Sequence, residues 1–169
     1  MSQAPKSKAG AGHYDANYEN FESDLYSEIR REAFGEDIGQ NSWLTTGEQN
    51  GFAEKLALCP GKKLLDVACG AGGPALQIAE KTGCSLVGVD VHEKAISAAK
   101  SLAAKQGLSA RAEFQVGNAA GSLPFADGEF DAITCIDAIN HLPVVQRWSR
   151  SGRECLSRRA VCCLPIPSR

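Results

Sequence analysis

Residues 64–76, LLDVACGAGGPAL, constrain the fold more than any other stretch of this chain. An apolar run feeds into Gly70, Gly72 and Gly73, and a helical pattern begins directly behind them at Pro74. Glycines between a strand and a helix let the backbone take positive φ and approach a ligand closely. Proline suits the first helical turn, where its missing N–H costs no bond. Around this loop the chain alternates. KLLDVA reads as a strand, Pro74 to Lys81 as a helix and SLVGVD as a second strand; EKAISAAKSLAAKQ then reads as an amphipathic helix ended at Gly107. ARAEFQV and FDAITCI supply a third and a fourth strand. Strands separated by helices of this length make βαβ units and a parallel sheet. The expected fold is therefore α/β, a doubly wound sheet with helices on both faces.

Upstream, residues 1–12 are small and polar and read as a disordered N-terminus. From Tyr14 to Trp43 the chain is rich in aromatics and acids, with Phe21, Leu25, Ile29 and Ala33 at a helical spacing of four. Thr46 with Gln49 fits a capping box for a second helix running to about Leu58. Pro60-Gly61 then turns the chain into the first strand.

Two ligands compete for the glycine loop. Gly70-x-Gly72-x-x-Ala75 fits a dinucleotide fingerprint, with Asp90 about 20 residues on at the end of the next strand. A dinucleotide would place its pyrophosphate on the loop and helix N-terminus. Asp66, four residues before Gly70, would repel that pyrophosphate and suits a cationic ligand instead.

Asp66-Val-Ala-Cys-Gly70-Ala-Gly72-Gly73 resembles motif I of class I S-adenosylmethionine-dependent methyltransferases, a Rossmann-like family of small-molecule enzymes among others. Val87-Gly-Val-Asp90-Val91 is similar to the next motif, whose acid holds the ribose hydroxyls. Asn118 in Gly117-Asn118-Ala119 stands where the family usually has an acid near the adenine amine. Leu123 to Asp131 is similar to the loop entering strand four, and Asp137-Ala-Ile-Asn-His141-Leu142 follows that strand. The resemblance covers residues 48–142, in order. It implies S-adenosylmethionine as cofactor, held by Asp66, Ala68, Cys69, Gly70, Gly72, Asp90, Val91, Asn118, Ala119 and Ile136. Asp137 and His141 are the implied proton acceptors during methyl transfer to nitrogen or oxygen of a small molecule. Residues 13–47 take the place of the family's lid, with Tyr14, Gln40, Ser42 and Trp43 as candidate substrate contacts. The plainer reading of residues 35–43 is a surface connection, and a structural role for His141 stands equally open.

Composition narrows the partners. The net charge is −2, and neither basic tracts nor aromatic–basic interleaving is evident, which argues against nucleic acid. There is no apolar run of about 18 residues and no secretory leader pattern, so the expectation is a cytoplasmic protein without a membrane partner. The seven cysteines are mostly single and set in apolar contexts; Cys69 and Cys135 read as small core residues. No C-x-x-C pair occurs, so no metal site is expected.

The last stretch is of a different character. Residues 143–169 carry six Arg, no Lys and one acid, a charge of +5, against −7 for the rest of the chain. Reading ECLSRRAVCCLPIPS one codon phase over permits Val-(Leu or Ser)-Lys-Pro-Ala-Gly-Arg-Val-Leu-Phe, a turn followed by a strand of the kind the resembled family has here. The expectation is a frameshifted tail after about residue 142, with strands five to seven missing and an impaired site. Two alternatives stay open: a non-catalytic cofactor-binding remnant and an NAD-linked oxidoreductase.

Overall fold

A computed structural model describes residues 17–40, 45–119, 121, 123–126, 128–136, 138 and 161–163. Four helices and five strands follow in order: α1 (Asp24–Phe34), α2 (Thr46–Lys55), β1 (Lys63–Val67), α3 (Gly73–Thr82), β2 (Ser85–Asp90), α4 (Glu93–Lys105), β3 (Ala112–Val116), β4 (Ala132–Cys135) and β5 (Val161–Cys163). The sheet runs β3-β2-β1-β4-β5, parallel throughout. The strands proceed outward from β1 on one side to β3 and on the other from β4 onward. The crevice above the carboxyl ends of β1 and β4 is thus the switch point, where such sheets bind ligands.

Leu64, Leu65 and Val67 of β1 are sealed from solvent, because β1 is central and both of its faces are covered. Leu64, Leu86, Phe114 and Ala132 face α2, α3 and α4 through Ala53, Leu56, Leu76, Ile78, Ile96 and Ala99. On the opposite face, Leu65, Val67, Val87, Val89, Ile133 and Cys135 pack with Ala119, Leu123, Phe125 and Phe130 from the connection ahead of β4. Each buried Leu or Val contributes about 1.5–3 kcal/mol by leaving water. Helix α4 ends as its glycine predicts: Gly107 takes φ +70°, and the Leu108 N–H returns to the Ala103 carbonyl.

Three local expectations are corrected. The cap of α2 is Thr45, one residue earlier than expected. Its hydroxyl accepts from the Glu48 N–H while the Glu48 carboxylate accepts from the Thr45 N–H. A carboxylate is the stronger acceptor for this box, and Gln49 is drawn away to donate to the Pro74 carbonyl at 2.6 Å. Second, the four-residue repeat does not lie within one helix, because Phe21 precedes α1. Phe21 is buried before α1 begins, whereas Leu25 and Ile29 within it are exposed. Third, the tail does supply a fifth strand, with Val161, Cys162 and Cys163 in register with Ile133, Thr134 and Cys135. An open parallel edge accepts a short β-prone segment, and Val-Cys-Cys has no proline or charge to prevent pairing.

Candidate functional site

The glycine loop is a strained turn. Ala68, directly after β1, holds φ +54°, uncommon for a residue with a Cβ. Gly70 and Gly72 follow at φ +53° and +77°. Gly72 caps α3, and a Cβ there would come within 2.8 Å of the Phe114 ring. This turn aims the loop backbone into the crevice above β1.

Two buried carboxylates flank it. Asp90, at the end of β2, accepts from the Gly70 N–H through Oδ2 and from the His92 N–H through Oδ1, both at 2.9 Å. It therefore ties the glycine loop to the start of α4, and each oxygen keeps a further lone pair for a ligand hydroxyl. Asp66 sits on β1, opposite Gly88 of β2 and Thr134 of β4. Its Oδ1 accepts from the Thr134 hydroxyl at 2.7 Å. Burial drives its pKa up to about 7, the Thr134 bond opposes that rise, and the Asp90 charge adds to it. An acid held this way gains a favourable partner when a cation enters the crevice.

Cys69 lies between these acids in the loop. Burial first, then the Asp66 and Asp90 charges, push its thiol well above its ordinary range. It stays a neutral thiol, unsuited to act as a nucleophile. Val91 and Val116 flank Asp90, one next in the chain and one its register partner on β3. They are 54% and 52% exposed, an apolar shelf beside the second carboxylate. Ala119 is buried, Ile136 is half-buried against the α-helical face, and Asn118 is exposed at the turn after β3.

Of the expected cofactor contacts, the fold thus brings Asp66, Ala68, Cys69, Gly70, Gly72, Asp90 and Val91 to one crevice, with Asn118 and Ala119 beyond β3. Gln40 is placed otherwise than its candidate role requires. It is 1% exposed, donates to the Glu36 carbonyl and accepts from the Ile38 N–H, so its amide serves the turn at 36–40. Tyr14, Ser42, Trp43, Asp137 and His141 lie outside the described residues. Sequence reasoning missed Thr134, whose signal was a lone hydroxyl in the strand AITC opposite Asp66. Tyr18, which the sequence offers with Tyr14 as a weaker lid candidate, has its hydroxyl 2.9 Å from where a Cβ on Gly70 would be. Among the described residues no group of three His, Cys, Asp or Glu could hold a metal ion, and no helix is long and apolar enough to cross a membrane.

Comparison with known proteins gives this arrangement its context. The family model for a methyltransferase domain matches residues 64–158. A sterol 24-C-methyltransferase of Gibberella zeae is 33% identical over 136 residues, 76% of this chain and 35% of that protein. A 27-O-demethylrifamycin SV methyltransferase of Amycolatopsis mediterranei is 28% identical over 134 residues, 74% of this chain and 48% of that protein. Among solved structures, the [4+2]-cyclase SpnF superposes with a TM-score of 0.70 at 26% identity, over 90% of this chain and 57% of that one. The chain spans about a third to a half of the length of these curated relatives.

Proposed function

Because the chain belongs to the S-adenosylmethionine-dependent methyltransferase family, we propose that its crevice binds S-adenosylmethionine and directs methyl transfer to a bulky, largely apolar small molecule. The observation that carries this reading is the pair of buried carboxylates around the glycine loop, Asp66 and Asp90. When bound, the cofactor supplies an activated methyl group on a sulfonium centre. Asp66 answers the cofactor's positive charge and becomes ionised as it does so. Asp90 accepts from the ribose hydroxyls while still anchoring the Gly70 N–H. Val91 and Val116 offer apolar surface to the adenine, with Asn118 near its amine. Asp137 and His141, after β4, are the candidates to take a proton from the acceptor.

The relatives support a multi-ring acceptor, and they widen the atom that is methylated. One modifies carbon of a sterol and another acts on a demethylated rifamycin, so carbon joins the nitrogen and oxygen expected from the sequence. A second reading, cofactor binding without methyl transfer, is favoured by the breadth of the match to a cyclase. Residues beyond about 142 remain, in our reading, sequence from another frame. Sequencing the coding DNA across residues 138–169 and downstream tests that directly. An uninterrupted second phase encoding Lys-Pro-Ala-Gly-Arg-Val-Leu-Phe supports it, and early closure of that phase overturns it.

Function is tested by incubating the chain with methyl-labelled S-adenosylmethionine and a panel of sterol, polycyclic amine and macrolactam acceptors. Label in an acceptor, abolished by Asp90→Ala, supports the reading. Cofactor binding without label in any acceptor favours the second reading, and binding of NAD instead of S-adenosylmethionine overturns both.

A further inference from the structure

Helix α1 faces the wrong way for an ordinary amphipathic helix. Leu25 and Ile29 are 63% and 50% exposed, while its one buried residue is Arg30, at 6%. Burying a guanidinium is costly unless its donors are satisfied, and here they are. Its Nε donates to Asp37 Oδ1 at 2.6 Å, and Nη2 donates to Asp37 Oδ2 at 3.1 Å. Nη1 and Nη2 both donate to the Phe21 carbonyl at 3.1 Å. The guanidinium carbon also lies 4.4 Å from the centre of the Phe21 ring.

Asp37 extends the arrangement. Its carboxylate further accepts from the Ser27 hydroxyl at 2.6 Å and the Gly39 N–H at 2.9 Å. Burial works against its charge, but the bonds from Arg30, Ser27 and Gly39 outweigh that and hold it below the ordinary range. One carboxylate thus fixes the helix, the turn after it and, through Arg30, the segment before it.

What these bonds hold in place is the glycine loop's outer cover. Phe21 packs with Ala71 of the loop and Ala98 of α4, and Tyr18 joins that cluster. The Tyr18 hydroxyl lies over Gly70. The carbonyl oxygens of Ile38 and Gly39 come within 2.1 and 2.3 Å of where a Cβ on Gly73 would sit, an approach only glycine permits. Gly70, Ala71 and Gly73 are therefore all contacted by residues 18–39. The ion pairs Glu19–Lys94 and Glu22–Lys105 lie on exposed surface, where such pairs contribute little.

We propose that Arg30 is a positioning residue. Through Asp37 and the Phe21 carbonyl it clamps residues 18–39 onto the glycine loop and keeps that loop in its ligand-binding shape. The inference deepens the methyltransferase reading and rests on it only for the identity of the ligand; the clamp itself stands on the contacts above.

The test uses the full chain, with Arg30→Met, Arg30→Lys and Asp37→Asn. Hydrogen exchange of the amides at 69–73 is followed alongside those of β1 and β2, and S-adenosylhomocysteine binding is measured by titration. Removing the clamp is expected to speed exchange in the loop by about tenfold or more while the strands keep their protection, as a local opening does. Ligand affinity falls by a similar factor, because the competent loop is then populated only part of the time. Arg30→Lys keeps the charge but loses the planar fork, so it falls between Arg30→Met and wild type. Loop exchange and affinity within about twofold of wild type in folded Arg30→Met overturn the proposal. If Arg30→Met does not fold, Asp37→Asn decides by the same two readouts. Loss of protection across β1 and β2 in both variants also overturns it. Wild-type protein that binds no S-adenosylhomocysteine would sink the cofactor reading, and the exchange comparison would still decide the clamp.

Discussion

The βαβ core and the N-terminal unit meet at the glycine loop, yet they are held by opposite chemistry. Beneath the loop, Leu64, Leu76, Ile78, Leu86 and Phe114 interlock in an apolar core. Above it, one phenylalanine is buried and the remaining order comes from a guanidinium, a carboxylate and backbone carbonyls. Apolar packing is non-directional and tolerant, whereas a buried charge pair works only in one geometry. The difference teaches that the sheet sets where the site is, while the polar unit sets how the loop is presented to a ligand.

The largest effect should come from the core. Phe114 is 2% exposed and its ring lies against both Gly72 and Gly88. Phe114→Ala is expected to cost about 3–5 kcal/mol, read as a fall in the midpoint of chemical unfolding. A loss below about 1 kcal/mol would mean the core is looser than its burial indicates. Asp90→Ala comes next. It strands the Gly70 and His92 N–H groups without their carboxylate, expected to cost about 1–3 kcal/mol. The same variant should lose cofactor binding, checked by titration.

A pH-dependent effect belongs to Asp66. Its pKa of about 7 in the fold lies above the ordinary 3.8, so between those values the native state carries a proton that the unfolded chain has lost. Stability therefore falls as pH rises from about 4 to about 7 and levels off above, by at most about 1.4 kcal/mol per pH unit from this one group. Asp66→Asn should flatten that slope in unfolding curves measured across the range. An unchanged slope would show that Asp66 is ionised throughout. The smallest effect is expected on the outer face of α1. Leu25→Ser should change stability by no more than about 0.5 kcal/mol, because Leu25 is 63% exposed.

The elements of the core were legible because local and global signals agree there. Each strand is apolar where the sheet is buried on both faces, and α3 and α4 each end at a glycine with left-handed φ, Gly83 and Gly107. Asp66 and Asp90 were legible as well, since an acid at the end of a buried strand has few structural reasons to be there. The N-terminal unit was not. Its four-residue repeat marked a helix, but Arg30 and Asp37, seven residues apart, decide which face is buried through a pairing that no periodicity records. Gln40 drew attention as a pocket residue because polar groups in a loop suit both a ligand and a turn; its two bonds to 36 and 38 show the turn using it. Thr134 escaped notice because its value depends on the register of β4 against β1. Strand β5 escaped for another reason. Its residues lie in a stretch whose charge departs from the rest of the chain, and pairing to an open edge asks only for three extended, β-prone residues. Those same codons permit Val-Leu-Phe in the other phase, so either reading places a strand here.

The most direct test of the account is the affinity for S-adenosylmethionine measured by calorimetry from pH 5.5 to 8.5, roughly centred on the pKa of about 7 at Asp66. The account predicts that binding tightens as pH rises through about 7, that Asp66→Asn removes this dependence, and that NAD does not bind. Affinity independent of pH in the wild-type chain, or preference for NAD, would contradict the claim that a buried acid beside the glycine loop selects a cationic cofactor.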